Sequence, residues 1–360
     1  MSIKPILNLY IPSRFHKINN SKFSPSSEVF NEFSKYFTLN IYCDIDIVSE
    51  KIKLNQNQLN SNINLISFFK DNKIIKGKKI QKNKDELYMI FYPFHSLSWY
   101  LAYKLKNQKL VIWVRTDHRD HSLKRYNYKD YRKYLYFILK PIHYVAYTLV
   151  SKYLFKNKLI FYTANATINP KNHLNQHEII SNSTVNKDPK LIKSYTSNKI
   201  FFVGGENRRK GLALLLKALQ HSNKELHIIG LDSLKDTEHV KLAKQVNIKI
   251  HGKIYYDRDK YYKLLSQADI VVMPSYGEKQ GKIQLEAMSV GVVPICSDSG
   301  GTYQTIHNYY NGLLFKEGDW KDLKQKIELM YSDKKLYKNI KENGLEYIKT
   351  QSVEKQIKLM

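Results

Sequence analysis

Residues 269–301 read DIVVMPSYGEKQGKIQLEAMSVGVVPICSDSGG. The β-branched run Ile270-Val271-Val272-Met273, stopped by Pro274, predicts a buried parallel strand. A polar loop, Ser275 to Gln280, follows it. Gly281 opens a predicted helix over Lys282 to Val290, and Gly291 stands where a helix commonly ends. A second β-branched run, Val292 to Cys296, leads into Asp298-Ser299-Gly300-Gly301. The pattern is a βαβ unit. Its loops leave the carboxyl ends of strands, where open α/β sheets bind ligands.

Two carboxylates sit inside this unit, Glu278 in the loop and Glu286 in the first turns of the helix. Both can face one crevice. The backbone N–H groups around Gly281, Lys282 and Ile283 have no partner within the helix and suit an anion. Lys279 and Lys282 oppose the helix dipole there, and a bound diphosphate removes the conflict. The bland alternative is that lysine is common enough in this chain to land there by chance.

The run Pro274-Ser275, Glu278, Gly281, Leu285-Glu286-Ala287-Met288, Gly291, Pro294-Ile295 resembles the E-x7-E segment of retaining glycosyltransferases of family 4. Ser299-Gly300-Gly301 and Asn311-Gly312-Leu313-Leu314-Phe315 follow in the order that family shows. The resemblance implies the GT-B fold, an α/β architecture of two Rossmann-like, doubly wound domains facing across a cleft. It implies a nucleotide-sugar donor on the second domain, a glycan or lipid-linked acceptor on the first, and no metal or other cofactor. It also assigns roles. Glu286 holds ribose hydroxyls, Glu278 holds hydroxyls of the sugar, and Lys210 contacts the donor diphosphate.

Composition sets bounds of its own. The chain has 360 residues, room for two ordinary domains. The expected division is residues 1–195, residues 196–345, and a final stretch 346–360 that crosses back to the first domain. No stretch is a predicted spanning helix, the first residues lack a signal-peptide core, and Cys43 and Cys296 show no zinc spacing. A cytoplasmic setting, peripheral at the inner face of the membrane, fits. The net charge of +27 asks for an anionic neighbour, although codon bias in a chain rich in Lys, Asn, Ile and Tyr is a second source of it.

In the first half, residues 2–11 read as a strand followed by a glycine-free turn, Pro12 to Lys17, whose Arg14, His16 and Lys17 are placed either to bind phosphate or merely to meet water. A helix is expected over 26–37 and strands over 39–47, 63–69, 86–92 and 109–114, with a helix over 96–106. Asp44-Ile45-Asp46 and Asp257-Arg258-Asp259 are D-x-D tripeptides, a weak metal signal at this length. His118 follows the strand 109–114 and is the best match to a histidine that the resemblance places beside the donor sugar or acceptor. Residues 119–158 hold ten Lys/Arg against two Asp/Glu, with eight tyrosines, a composition suited to an anionic membrane surface.

The second half opens with the strand Lys199 to Val203 and Gly204-Gly205-Glu206-Asn207-Arg208-Arg209-Lys210-Gly211. Glycines let backbone approach a phosphate, and the three cations supply charge. It is not a P-loop, since no G-K-[ST] follows. Related enzymes carry an arginine where this chain has Gly205, so Arg208 or Arg209 stands in for it. The reading is a glycosyltransferase of cell-surface polysaccharide or glycolipid synthesis. The rivals are a basic nucleic-acid-binding α/β protein, for which no motif is present, and a sugar-nucleotide epimerase on the same fold.

Overall fold

The computed structural model describes residues 4–18, 21–24, 27–47, 57–71, 73–92, 96–114, 153, 158–163, 176–179, 197–254, 257–276, 281–299 and 301–350. The chain divides into two compact units, residues 1–182 with 353–360, and residues 183–352. Both are α/β with mainly parallel sheets.

The strands of the first unit are β1 (Ile6–Ile18), β2 (Ser21–Ser24), β3 (Thr38–Ile47), β4 (Asn57–Gln58), β5 (Asn64–Lys70), β6 (Lys73–Ile74), β7 (Leu87–Tyr92), β8 (Lys109–Val114), β9 (Leu159–Thr163) and β10 (Gln176–Ile179). They are ordered β10-β9-β8-β7-β1-β3-β5-β6, with β2 paired to β1 and β4 to β2. The order reverses between β1 and β7, the mark of a doubly wound sheet. Alternate side chains bury both faces. Leu7, Leu9, Leu39, Ile41 and Met89 pack with Val29, Phe30 and Phe33 of α1 (Ser27–Tyr36). On the other face Tyr10, Tyr42, Phe68, Tyr88 and Ile90 pack with Leu101 and Ala102 of α2 (Ser96–Lys104).

The expected turn over Pro12 to Lys17 is instead strand. β1 continues to Ile18 beside β3, with a register shift between Tyr10 and Arg14 that accommodates Pro12. Ile11 and Phe15 are buried there, which supplies the reason. The extended pairing sets Arg14 opposite Asp44 and His16 opposite Asp46. Arg14 lies 3.3 Å from Asp71 and 4.0 Å from Asp44, and His16 lies 3.7 Å from Asp46. The first D-x-D carboxylates therefore face basic side chains of the neighbouring strand.

A row of amides crosses the same sheet. Asn64 Nδ2 donates to Asn40 Oδ1 at 3.0 Å, Asn40 Nδ2 to Asn8 Oδ1 at 3.1 Å, and Asn8 Nδ2 to Glu86 Oε2 at 2.6 Å. Asn8, Asn40 and Asn64 are in register on β1, β3 and β5. Burial of Asn8 is affordable only because both ends of its amide are bonded.

The second unit holds β11 (Lys199–Val203), β12 (Glu225–Ile229), β13 (Asn247–Ile250), β14 (Ile270–Met273), β15 (Val293–Asp298) and β16 (Leu313–Lys316). All are parallel, in the order β13-β12-β11-β14-β15-β16. The helices are α3 (Leu212–Leu219), α4 (Thr237–Ala243), α5 (Arg258–Leu265), α6 (Lys282–Ser289), α7 (Trp320–Ser332) and α8 (Lys334–Thr350). Ile200, Phe202, Leu226, Ile228, Ile270 and Val272 form the core with α3 and α7. Of the expected final stretch 346–360, residues 346–350 continue α8 and the rest lies outside the described residues. Among the described residues no helix is long and apolar enough to cross a membrane.

On the opposite sheet face His227 stacks on Phe201 at 4.5 Å, and its Nδ1 lies 2.8 Å from Nε2 of His251. Burial holds both imidazoles below the ordinary histidine range. Lys199 and Lys249 act in the same direction, and Glu225 opposes them.

Two outcomes follow from this architecture. Asn8→Ala removes one donor from the Glu86 carboxylate and the acceptor of the Asn40 amide, and urea unfolding is expected to show a loss of about 1–3 kcal/mol. For the histidine pair, the folded pKa values lie below the unfolded ones, so the unfolded chain takes up protons first. The pair's contribution is intact above a pH of about 6.5 and is lost as pH falls below it. The melting temperature is expected to drop over that range, and His227→Phe is expected to flatten the drop.

Candidate functional site

The sheet of the second unit reverses its order between β11 and β14, and the two loops leaving that point form the candidate site. The first runs from Gly204 to Gly211. The second starts at Pro274 and reaches α6 at Gly281. They are joined by backbone. Tyr276 N–H donates to Arg209 O at 2.7 Å. Gly211 has φ +69°, and a Cβ there would run into the Pro274 carbonyl oxygen. Only glycine meets both conditions.

Inside the first loop, Arg208–Lys210 form a 3-10 turn before α3. The Lys210 stem passes over Gly204, whose Cβ would stand 3.4 Å from Lys210 Cγ. Gly230, at φ +113°, lets the end of β12 approach Gly204 O. Gly205 has open space around its Cα, apart from Asn207. The loop thus brings Gly204, Gly205, Arg208, Arg209 and Lys210 together at one strand end. Glu206 serves the scaffold. Its carboxylate accepts from Lys235 N, Asp236 N and His239 Nδ1. Burial alone would raise its pKa, but these bonds hold it below the ordinary carboxylate range.

Across the switch point, α6 begins at Gly281, a residue that offers no side-chain cap. The buried Gln284 carbonyl fills the space a Gly281 Cβ would need, and its Nε2 donates to Thr305 Oγ1. Lys282 and Ile283 are half-buried in the first turn. Ser297 and Ser299 both donate to the Ser275 carbonyl, tying the loop after β15 to the loop after β14. Asn311, fully buried, accepts from His307 N and donates to Thr305 O. The Asn-Gly-Leu-Leu tail is therefore a scaffold turn.

Glu286 is 7% exposed and points toward α5. Arg258 Nη2 donates to one oxygen at 2.9 Å and Tyr261 OH to the other at 2.8 Å. Burial and the Glu286 charge drive the Tyr261 hydroxyl far above its ordinary pKa, so it stays a donor. Arg258 and Tyr261 were not among the residues expected from sequence. The usable signal was there. Asp257 caps α5, accepting from Lys260 N, and Arg258, Tyr261 and Tyr262 then share a face at i, i+3 and i+4. The second D-x-D is a helix cap followed by this arginine. Glu278 and His118 lie outside the described residues.

The model of the family described as "Glycosyl transferases group 1" matches residues 184–347. The second unit is a glycosyl transferases group 1 domain. Two curated relatives illustrate its neighbourhood. Glycogen synthase of Clostridium perfringens is 30% identical over 154 residues, covering 39% of this chain and 32% of that enzyme. An N,N'-diacetylbacillosaminyl-diphospho-undecaprenol alpha-1,3-N-acetylgalactosaminyltransferase of Campylobacter jejuni is 38% identical over 95 residues, covering 26% of this chain and 25% of that enzyme. The chain thus spans a third or less of either relative's length. Among solved structures, Anabaena HepE in complex with UDP and glucose aligns with a TM-score of 0.63 at 13% identity, covering 98% of each chain. That likeness carries the GT-B fold of two Rossmann-like domains to the whole chain.

The Glu286 pairing gives a stability test independent of any ligand. Arg258→Gln and Tyr261→Phe each leave one buried carboxylate oxygen without its donor, and each is expected to cost about 1–3 kcal/mol. Combining Tyr261→Phe with Glu286→Gln is expected to be non-additive by about 0.5–3 kcal/mol in chemical denaturation.

Proposed function

We propose that this chain is a retaining glycosyltransferase that moves a sugar from a nucleotide-sugar donor to a glycan or lipid-linked acceptor in the synthesis of cell-surface polysaccharide or glycolipid. One observation carries the reading. The switch-point loops of a group 1 domain carry a basic, glycine-lined turn joined by backbone to the start of the loop that leads to α6, which supports the reading. In this reading the diphosphate lies between Lys210, with Arg208 or Arg209, and the amides of Gly281, Lys282 and Ile283. Those groups offset the charge that develops on the departing nucleoside diphosphate, and no metal is needed. Fixed donors are worth more here than mobile ones, because they need no reorganisation as the bond breaks.

Glu286 receives the ribose. A carboxylate has about four acceptor positions. Arg258 and Tyr261 occupy two of them, leaving the others for the sugar's hydroxyls, with the group already oriented. Glu278 holds hydroxyls of the transferred sugar, and His118 lies beside that sugar or the acceptor. No carboxylate acts as a covalent nucleophile in this scheme, in contrast to retaining glycosidases. The acceptor side, and the basic stretch 119–158 at an anionic membrane surface on the inner face of the cytoplasmic membrane, belong to the same proposal. The likeness to the Campylobacter enzyme, named for a diphospho-undecaprenol substrate, and to HepE, solved with UDP and glucose, supports it.

A melting-temperature screen against UDP, GDP, ADP and CMP tests the donor site. One nucleoside diphosphate is expected to raise the melting temperature, since a ligand bound only by the folded state stabilises it. Lys210→Ala is expected to abolish that rise and to lower turnover by about 10²–10³-fold, the range for losing one fixed charge donor. Wild-type turnover in the Lys210→Ala variant would remove the diphosphate assignment.

A further inference from the structure

The segment after β6 carries a charge pattern that the donor site does not use. Residues 73–84 read KIIKGKKIQKNK, six lysines in twelve residues with no acid among them. All six are exposed. Several surface lysines of the second unit are paired, while others, such as Lys241, Lys263 and Lys335, have no partner among the described residues. There Lys217 pairs with Glu238 at 2.9 Å, Lys349 with Glu346 at 2.6 Å, Lys338 with Glu342 at 3.9 Å, and Lys326 donates to Tyr309 OH at 2.7 Å. Among the described residues, Lys73, Lys76, Lys78, Lys79, Lys82 and Lys84 have no carboxylate in ion-pair reach and no side-chain hydrogen bond. Of the flanking acids, Asp85 is exposed next to Lys84, and the other two are engaged elsewhere. Asp71 takes Arg14 at 3.3 Å, and Glu86 takes Asn8 and Asn83.

The backbone beneath these lysines is fixed. Ile75 N–H donates to Phe68 O at 3.0 Å, and Lys78 N–H to Ile75 O at 3.0 Å, closing a turn that places Gly77 at φ +85°. Ile80 packs on the aromatic core, and Asn83 N–H donates to Tyr88 OH at 2.7 Å. Six like charges are therefore held along the sheet edge that ends in β6, where they repel one another until an anion arrives. Codon bias explains many lysines. It does not by itself gather six lysines into twelve residues of fixed backbone with no acid between them.

We infer that this lysine loop is a docking surface for an anionic lipid bilayer, separate from residues 119–158. The residue types choose the partner. Arginine forks suit discrete phosphates, and aromatic rings suit bases. Residues 73–84 contain neither. Ammonium groups on flexible stems match a diffuse sheet of charge, where each contributes on the order of 1 kcal/mol. The inference takes from the proposed function only the class of surface involved. The loop's charge stands without it.

The test uses the full chain and sedimentation with phosphatidylcholine vesicles, with and without about a third phosphatidylglycerol, the anionic component that sets the surface potential. Wild-type protein is expected to bind the anionic vesicles and release them at high salt. The variant K76Q/K78Q/K79Q/K82Q/K84Q is expected to bind about 100-fold more weakly, allowing for screening. K217Q/K324Q/K326Q/K338Q/K349Q removes equal charge from the second unit and is expected to bind as wild type. Equal losses in the two variants would make net charge the cause and overturn the loop. So would unchanged binding by the loop variant, which leaves residues 119–158 as the membrane contact, or loop-dependent affinity for duplex DNA in place of vesicles. The nucleotide-induced melting shift, measured on the same loop variant, is expected to persist. Its absence from wild type would remove the glycosyl-transfer reading and leave the loop assignment intact.

Discussion

The candidate site depends on a close approach between two pieces of backbone. Gly211 must lie against the Pro274 carbonyl, and Tyr276 must reach Arg209. These contacts fix where α3 starts and hold the basic turn over the strand end. Everything that a phosphate would meet, the Lys210 stem over Gly204 and the open start of α6, is positioned by main chain. Long cationic side chains are poor at holding a geometry unaided, because ordering each carries a rotamer-entropy penalty. Here the backbone supplies that order, and the side chains add charge at the tip.

A second layer supports the first. Three serines, Ser275, Ser297 and Ser299, knot the loops after β14 and β15, and Gln284 reaches from α6 to Thr305. Glu286 is braced by Arg258 and Tyr261 from the neighbouring helix. Buried polar groups of this kind are stable only as a complete set, since one missing partner exposes the desolvation cost of the rest. The group 1 domain therefore combines a dry hydrophobic core on one side of its sheet with polar cross-links at the strand ends where ligands bind.

Much of this was legible beforehand, for identifiable reasons. β11, β14 and β8 begin and end where their apolar runs do, because buried parallel strands need unbroken hydrophobic sequence. Gly281 and Gly204 stood out as glycines at strand–helix junctions. The reading went astray where polar residues decide. Pro12 to Lys17 looks like a loop by composition, and only the partner strand, with Asp44 and Asp46 facing Arg14 and His16, makes it a strand. Arg258 was hidden inside a tripeptide that suggests a metal. Its actual partner lies 28 residues downstream, on the next helix. Long-range polar pairing leaves no periodic trace, so it cannot be read from one chain.

The asparagine row in the first unit bears on how the sheet finds its alignment. Hydrophobic strands that are buried on both faces tolerate sliding by two residues, because one aliphatic side chain replaces another. A slide of β3 along β1 would bring Tyr42 or Thr38 opposite Asn8, and the amide chain to Glu86 would break at once. Misaligned sheets would then bury the Asn8 side-chain oxygen without its Asn40 amide donor. The polar row thus acts less as glue for the finished sheet than as a gauge that rejects wrong alignments during assembly.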